Sequence, residues 1–164
     1  MKRFFSIVIF AILTGCVTGA EAPPPESKIT EERWKAIVKE FPTATLTKNI
    51  LTINIPRSDL EVGNIDLGEI PPEAGLSSSI HFLPCTCGKM NVLGQLCVVD
   101  YEMNDVIDEL REARIKIVST APMFLGARPN LMLIRFQGEG DAAKLAQALK
   151  KALDWTGEDR NTVK

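Results

Sequence analysis

The chain is poor in the residues that many enzymes and most nucleic-acid-binding proteins depend on. It has a single histidine, His81, among 164 residues, which restricts imidazole-based acid–base chemistry and metal binding. Its 21 acidic side chains outnumber the 19 basic ones, which disfavours nucleic acid, whose phosphates are neutralised by Lys and Arg. It also lacks a nucleophile elbow, a P-loop, a dinucleotide fingerprint and an HExxH motif. These absences argue against the enzyme classes that carry such motifs.

A long hydrophobic run is missing as well. The longest apolar segment, Phe4–Leu13, has 10 residues, whereas a membrane-spanning helix needs roughly 20. It follows the basic pair Lys2 and Arg3 and ends in Leu13-Thr14-Gly15-Cys16. This order is typical of a secretory signal peptide, and the tetrad is similar to the lipobox of bacterial lipoproteins. The alternative is a plain secretory peptide with an incidental cysteine.

The lipobox implies that Cys16 becomes the first residue of the mature protein and carries acyl chains such as palmitate. Several such chains together anchor a protein firmly. We therefore expect a protein of the bacterial cell envelope, attached to a membrane through Cys16 and facing the periplasm or the exterior. Because Val17 is not the inner-membrane retention residue of enteric lipoproteins, we expect the outer membrane in a Gram-negative cell.

Composition divides the chain into four segments. Residues 1–15 are predicted as the signal peptide, and residues 16–28 as the acylated cysteine with a proline-rich linker. Residues 29–155 are predicted as the folded domain, and residues 156–164 as a flexible tail. The length leaves room for one such domain.

Hydrophobic periodicity in the predicted domain indicates an α+β fold. Thr30 starts a helix that ends before Pro42, and residues 45–56 are predicted as a strand or a hairpin, with Lys48-Asn49 as a candidate turn. Leu60–Leu67 is predicted as another short strand, before a loop with Pro71-Pro72 and Gly75. From Ser79 onward a strand–strand–helix unit occurs twice. Its elements are Ile80–Pro84, Asn91–Val99 and Asn104–Arg114, and then Ile115–Thr120, Leu131–Phe136 and a helix capped by Asp141.

The two units predict a two-layer sandwich. A crossover between parallel strands is right-handed, which makes the Asn91 and Ile115 strands parallel neighbours or near neighbours. If the Leu131 strand lies between them, the sheet is a permuted ferredoxin-like arrangement, mixed but largely antiparallel, with helices on one face. In that order the Ile80 strand lies at the sheet edge, and the N-terminal helix and hairpin extend or cover the rest.

Short motifs in a fixed order run through the predicted domain. They are Trp34–Val38, Ile55–Leu60, Pro71–Leu76, Phe82, Val92–Leu96, Pro129 and Gly138–Asp141. In order and spacing they resemble the LppY/LpqO family of bacterial envelope proteins, for which no activity is established. The resemblance covers about Trp34 to Asp154. Since many relatives carry two copies of the domain and this chain has room for one, the resemblance also implies a homodimer.

The chain departs from this family where the family's histidines lie. The region of a His-Asn-His-Met-like run corresponds here to Ala121-Pro122-Met123-Phe124, and Glu139 replaces a histidine in the glycine-rich turn before the last helix. The family's likeliest reactive groups are therefore missing, which favours a binding role over catalysis. Met123 and Phe124, followed by Leu125, form an apolar loop that would be a contact surface if exposed.

Three charged residues are further candidates for ligand binding. Arg57 and Asp59 project to the same side of an extended segment and could bind an anion or a polar ligand. The alternative is an ion pair or Asx-type turn that fixes the strand end. Arg135, within an apolar strand, could bind an anion in a pocket, or it could be a partly buried structural residue paired with a nearby carboxylate.

Among the candidate site residues, three cysteines and a methionine form the cluster with the most reactive side chains. Cys85 and Cys87 lie on the same face of an extended segment, and with Met90 and His81 they could bind Cu(I), a soft ion. The alternatives are a disulfide, the usual state of close cysteines in the envelope, and free or buried thiols. Cys97 should lie too far along the ladder to pair with either, and we expect it in the core.

The leading hypothesis is a membrane-anchored envelope lipoprotein with a non-catalytic domain and no cofactor. We expect it to bind an envelope protein or a small ligand through residues 121–129 and the neighbouring turn at residues 85–90. The first alternative is a copper-type protein that uses the cysteine cluster. The second is a hydrolase-like enzyme with Arg57, Asp59, Glu139 or Asp141 in acid–base roles.

Overall fold

Two antiparallel sheets and three helices make up the computed structural model, which describes residues 28–157. The helices are α1 (Glu31–Glu40), α2 (Met103–Glu112) and α3 (Ala142–Leu153). The strands are β1 (Thr45–Thr47), β2 (Ile50–Pro56), β3 (Val62–Asn64), β4 (Gly68–Ile70), β5 (Ser77–Pro84), β6 (Met90–Val99), β7 (Lys116–Pro122), β8 (Ala127–Arg128) and β9 (Leu131–Gly140). The predicted signal peptide, Cys16, the linker up to residue 27 and residues 158–164 of the predicted tail lie outside the described residues.

The larger sheet has six strands in the order β1-β2-β5-β6-β9-β7. All three helices pack on one face of it and share its main hydrophobic core. One row of this face runs through Ile53, Ile80, Gly94 and Phe136. Gly94 is required in this row because a Cβ there would lie 2.2 Å from the Ser79 carbonyl oxygen and 2.9 Å from the Phe136 ring.

This architecture confirms the predicted α+β sandwich with its two strand–strand–helix units. β9 lies between β6 and β7 and is antiparallel to both, so the two crossover strands are parallel near neighbours, as expected. Every pair of neighbouring strands in the described residues is antiparallel, so the sheet contains no mixed pairing. The edge position predicted for β5 is wrong, because the β1–β2 hairpin pairs with it and extends the sheet.

A second sheet has the order β4-β3-β8. Its strand β3 lies within the predicted short strand Leu60–Leu67, whereas β4, β8 and the sheet itself were not predicted. It covers part of the face opposite the helices and encloses a separate core. The core residues of the second sheet and of the larger sheet beneath it are Val62, Ile70, Leu76, Cys97, Val99, Ala127 and Leu131. Strands of two or three residues are too short to show a hydrophobic period, which is why the sequence did not reveal this layer.

The larger sheet has two ends, which we name by their features. The hairpin end carries the β1–β2 turn, where Lys48 and Asn49 have positive φ, and the β5–β6 turn at Gly88. The described chain starts here, because the Ile29 amide donates to the Asn49 side-chain oxygen at 3.0 Å. The opposite end carries the second sheet, and we call it the tip end. Within residues 28–157, no helix combines the length and the hydropathy that crossing a membrane would require.

Candidate functional site

Arg57 lies at the end of β2 and is almost completely buried, with 2% of its surface exposed. Its Nε donates to Asp59 at 2.9 Å, and its Nη2 donates to Asp59 at 2.9 Å and to Glu102 at 3.0 Å. Its Nη1 donates to Glu102 and to the Cys97 carbonyl oxygen, both at 2.9 Å. All five guanidinium N–H groups thus have a protein acceptor, and none is left for a ligand.

Glu102, directly before α2, is the buried partner that completes this charged network. Its carboxylate is fully buried and also accepts from the Val99 amide at 2.9 Å and from the Gly157 amide at 3.1 Å. It therefore joins the end of β6, the start of α2 and the chain after α3. Sequence reasoning missed Glu102, because a Glu at a helix start is usually exposed and stabilised by the helix dipole.

The pKa directions of Arg57 and Asp59 agree with an ion pair between them. Burial alone would lower the pKa of Arg57, but hydrogen bonds and charge from Asp59 and Glu102 outweigh it and raise that pKa. Burial alone would raise the pKa of Asp59, yet the guanidinium holds it below its usual value. The arrangement is the ion pair named above as the structural alternative for Arg57 and Asp59.

The other carboxylates proposed for acid–base chemistry lie elsewhere. Glu139 forms an ion pair with Lys89 at 2.8 Å, and Asp141 caps α3 by accepting from the Lys144 amide at 3.1 Å. Both lie at the hairpin end, whereas Asp59 follows β2 at the tip end. The structure therefore does not bring the predicted acidic residues together in one cleft.

The copper-site candidates are dispersed. Cys85 and Cys87 form a disulfide, and Met90 is fully buried in the core beneath the helices. His81 is on the other face of the sheet, where its Nδ1 lies 3.2 Å from the Thr52 hydroxyl. Copper binding by these residues stays a prediction for the reduced chain.

Cys97 lies away from Cys85 and Cys87, toward the tip end of β6, whereas Glu139 lies beside them. Cys97 is a free, buried thiol, as expected, and burial raises its pKa to about 11. Glu139 lies close to the disulfide, since its carboxylate and the sulfur atoms of Cys85 and Cys87 are all within 4.8 Å of one another. In the disulfide these sulfurs are not thiolates, which are the form that binds metal.

Arg135 is exposed on β9, on the face opposite the helices. It lies between Gln95 of β6 and Ser119 of β7, so the expectation of partial burial is wrong. Together with His81, Leu93 and Gln137 it lies on the part of this face that the second sheet leaves uncovered.

The loop that replaces the family's histidines lies against the second sheet. Met123 and Phe124 are half-buried and pack on the second core, whereas Leu125 is 83% exposed. Next to it, in the β3–β4 turn, Ile65 is 88% exposed and Leu67 is 70% exposed. We call these three residues, Ile65, Leu67 and Leu125, the aliphatic tip.

Asn64 holds the two loops of the aliphatic tip together. Its side chain is buried, and its Nδ2 donates to the Leu125 carbonyl oxygen at 2.7 Å. Its Oδ1 accepts from the amides of Asp66 at 2.9 Å and Leu67 at 3.0 Å. Contact across the loops is close, because a Cβ on Gly126 would lie 3.2 Å from Ile65. The apolar side chains are therefore presented on a fixed backbone.

The expectation that residues 121–129 neighbour the turn at residues 85–90 is wrong. Met90 pairs with Gly140 at the hairpin end of β6, and Val99 pairs with Leu131 at the tip end. At about 3.4 Å per residue, the two regions are separated by roughly 30 Å.

Comparison with known proteins gives a family without an activity. The family model described as Domain of Unknown Function (DUF1259) matches residues 38–155. No curated protein and no solved structure matches the chain. The name LppY/LpqO stays a prediction from the motifs. A function for this chain is inferred from the arrangement of its own residues.

Proposed function

The chain belongs to the DUF1259 family of domains of unknown function, and we propose that it is a lipid-anchored envelope protein whose domain binds a partner protein through the aliphatic tip. The observation that carries this proposal is the exposure of Ile65, Leu67 and Leu125, between 70% and 88%, on loops fixed by the buried Asn64. Clustered exposed aliphatic residues are typical of interaction sites.

The size of the tip indicates a transient interaction. Full burial of a Leu or Ile side chain contributes about 1.5–3 kcal/mol, so the three side chains supply roughly 5–9 kcal/mol at most. Association itself costs at least about 4 kcal/mol. Because the backbone of the tip is already ordered by Asn64, little additional entropy is lost on binding, and the surplus supports a weak to moderate affinity.

The charge around the tip favours one kind of partner. Glu61, Asp66 and Glu69 are exposed there, against a single exposed base, Arg128. An acidic rim disfavours an anionic lipid surface and complements a basic one. The partner is therefore a protein with an apolar pocket and a basic rim.

The position of the proposed anchor leaves the tip accessible. The described chain begins near Asn49 at the hairpin end, so a tether to Cys16 enters the domain opposite the tip. In this proposal the protein is held in the envelope by acylated Cys16, in the outer membrane where the cell has one. Metabolic labelling with palmitate tests the anchor, and the label should disappear in Cys16→Ser.

Site-specific photo-crosslinking of the full, acylated chain in its own membranes tests the docking surface. A benzophenone side chain at Leu125 should give a defined protein adduct, whereas one at Leu93, exposed to 45% on the open sheet face, should not. The Leu125 adduct should be lost in Leu67→Ser and retained in the matched variant Val118→Ser. Equal adducts from Leu125 and Leu93 would contradict the proposal.

Two further results of the crosslinking experiment distinguish a partner protein from a second copy of this chain and from a membrane surface. An adduct of twice the chain's mass would identify a second copy of this chain and overturn a heterologous partner. Crosslinks to lipid alone, or sedimentation with anionic vesicles that is lost in Leu125→Ser, would identify a membrane surface instead. The charge argument predicts that Asp66→Lys weakens the protein adduct at low salt, whereas Asp108→Lys on α2 does not.

A further inference from the structure

The disulfide at the hairpin end is exposed and very short in sequence. Cys85 and Cys87 are separated only by Thr86, and their Cα atoms lie 5.1 Å apart. Cys87 is exposed, and Cys85 is half-buried. This bond is reachable from solvent, unlike the thiol of Cys97 in the core.

The disulfide adds little to the stability of the turn that carries it. The Cys85 amide donates to the Lys89 carbonyl oxygen at 3.0 Å, and the Gly88 amide donates to the Cys85 carbonyl oxygen at 3.1 Å. The Arg33 side chain also donates to the Gly88 carbonyl oxygen. Since the restriction imposed by a crosslink grows with the length of the loop it closes, a bridge across one residue restricts the unfolded chain very little.

The groups around the sulfurs are those that thiol–disulfide exchange needs. The Cys87 amide lies 3.1 Å from the Cys85 Sγ and donates to it, which stabilises negative charge on that sulfur. The Glu139 carboxylate lies within 4.8 Å of both sulfurs, a distance over which a proton can pass through one water. The Lys89 ammonium, 2.8 Å from the same carboxylate, balances the charge of Glu139 beside a thiolate.

We propose that Cys85 and Cys87 form a thiol–disulfide exchange site that oxidises a dithiol. A substrate thiol gives its proton to Glu139, and its thiolate attacks the exposed Cys87 sulfur. The bond between Cys87 and Cys85 breaks, and Cys85 leaves as a thiolate that takes the proton from Glu139. The second substrate sulfur, as a thiolate, then attacks the substrate sulfur in the mixed disulfide and releases Cys87 as a thiolate, which takes up the proton that the second substrate thiol lost.

The electrons and protons of the exchange balance without a further reactant. Two electrons and two protons move from the substrate dithiol to the pair Cys85 and Cys87, and the substrate gains one disulfide. The reaction is stoichiometric and reversible. It takes place at the end of the domain opposite the aliphatic tip, so it does not depend on the proposed docking surface.

Exchange kinetics of the full oxidised chain test this inference. The probe is dithiothreitol, with the thiols trapped by alkylation at successive times and the peptide carrying Cys85 and Cys87 quantified by mass spectrometry. The reference is a synthetic peptide of residues 83–91 with the same disulfide. If the fold activates the bond, the protein should react at least about tenfold faster than the peptide, within the range of acid–base assistance.

Variants assign the effect to the named groups. Glu139→Gln should slow the exchange at least about fivefold, whereas the matched variant Glu112→Gln, an exposed carboxylate on α2, should not change it. Incubated with oxidised glutathione, Cys85→Ser should accumulate a mixed disulfide between Cys87 and one glutathione, while the other glutathione leaves as a thiol. Reduction should leave the circular dichroism spectrum and the melting temperature nearly unchanged.

Three results would contradict the inference. A protein rate equal to that of the peptide, or a Glu139→Gln rate equal to that of wild type, would overturn the inference. Unfolding of the chain on reduction would show that the disulfide is structural and would also overturn it.

Discussion

Replacing Glu102 by glutamine should destabilise the domain strongly, although the two side chains have nearly the same shape. Each carboxylate oxygen of Glu102 accepts two hydrogen bonds: Oε1 from Arg57 and the Gly157 amide, and Oε2 from Arg57 and the Val99 amide. A glutamine offers one oxygen and one NH2 group. In either orientation, one pair of donors therefore faces another donor inside the protein.

The magnitude follows from the burial of the pair. Hydrogen bonds to a charged group contribute about 1.5–3 kcal/mol each, and removal of one partner from a buried ion pair costs about 3–5 kcal/mol. Asp59 remains bound to Arg57 and compensates part of its charge, which favours the lower end of that range. We expect a loss of about 3 kcal/mol in the free energy of unfolding, and a fall in Tm on the order of 10 °C.

Urea denaturation followed by circular dichroism measures this effect. The control is Asp108→Asn on the same helix, whose side chain is 76% exposed and whose replacement should barely move the midpoint. The double variant Arg57→Leu/Glu102→Leu should be more stable than Glu102→Gln, because it removes both fully buried charges and the Asp59 carboxylate, which loses its partner, is 23% exposed. A Glu102→Gln midpoint close to that of wild type would refute the reasoning.

Three further predictions follow from single positions. Gly94→Ala should lower the free energy of unfolding by about 1–3 kcal/mol or more, because its Cβ would overlap the Ser79 carbonyl oxygen. Gly63→Ala should be tolerated, because its Cβ would lie 4.0 Å from the Arg128 carbonyl oxygen. Thermal melts compare the two variants. The pKa of Asp59 is lowered. The stability that its ion pair contributes is therefore present above its unfolded pKa, about 3.9, and is lost as pH falls through the folded value. Asp59→Asn should show a smaller acid-induced loss of stability in urea melts from pH 5 to pH 2. Cys97, with its pKa raised to about 11, should resist iodoacetamide at pH 8 in the native chain and react after unfolding, which peptide mass spectrometry detects.

Hydrophobic periodicity was enough to predict most of the larger sheet. Strands such as β6 and β9 span ten residues each, and α2 and α3 bury regularly spaced side chains, so their patterns are long enough to recognise. The strand order followed because a right-handed crossover and two short connections leave few arrangements. Lys48-Asn49 was named as a candidate turn from residue types alone, and both residues adopt positive φ in the turn between β1 and β2.

The interaction surface could not be predicted in the same way, because it depends on contacts between distant segments. Asn64 and Leu125 are 61 residues apart, and neither lies in a motif that predicts the hydrogen bond between them. Only the apolar character of the loop at Leu125 was visible in the sequence. Likewise, Arg57 and Glu102 are 45 residues apart, and the burial of Glu102 comes entirely from the way in which β6, α2 and the chain after α3 converge.

Buried Arg57 and two residues of the aliphatic tip, Ile65 and Leu67, belong to one structural feature, the connection between β2 and β5. The chain leaves the larger sheet at Arg57 and returns after Leu76, and the Arg57 amide donates to the Leu76 carbonyl oxygen at 2.8 Å, which closes the base of this connection. β3 and β4 lie within it, and β8 from the β7–β9 connection completes the second sheet.

The base of the β2–β5 connection is fixed by the Arg57 guanidinium bound to Glu102, and its end is fixed by Asn64. An ion pair of this burial contributes little net stability compared with apolar residues of the same volume. Its position at the base of the connection gives it a different role, which is to hold the aliphatic tip in one place relative to the larger sheet.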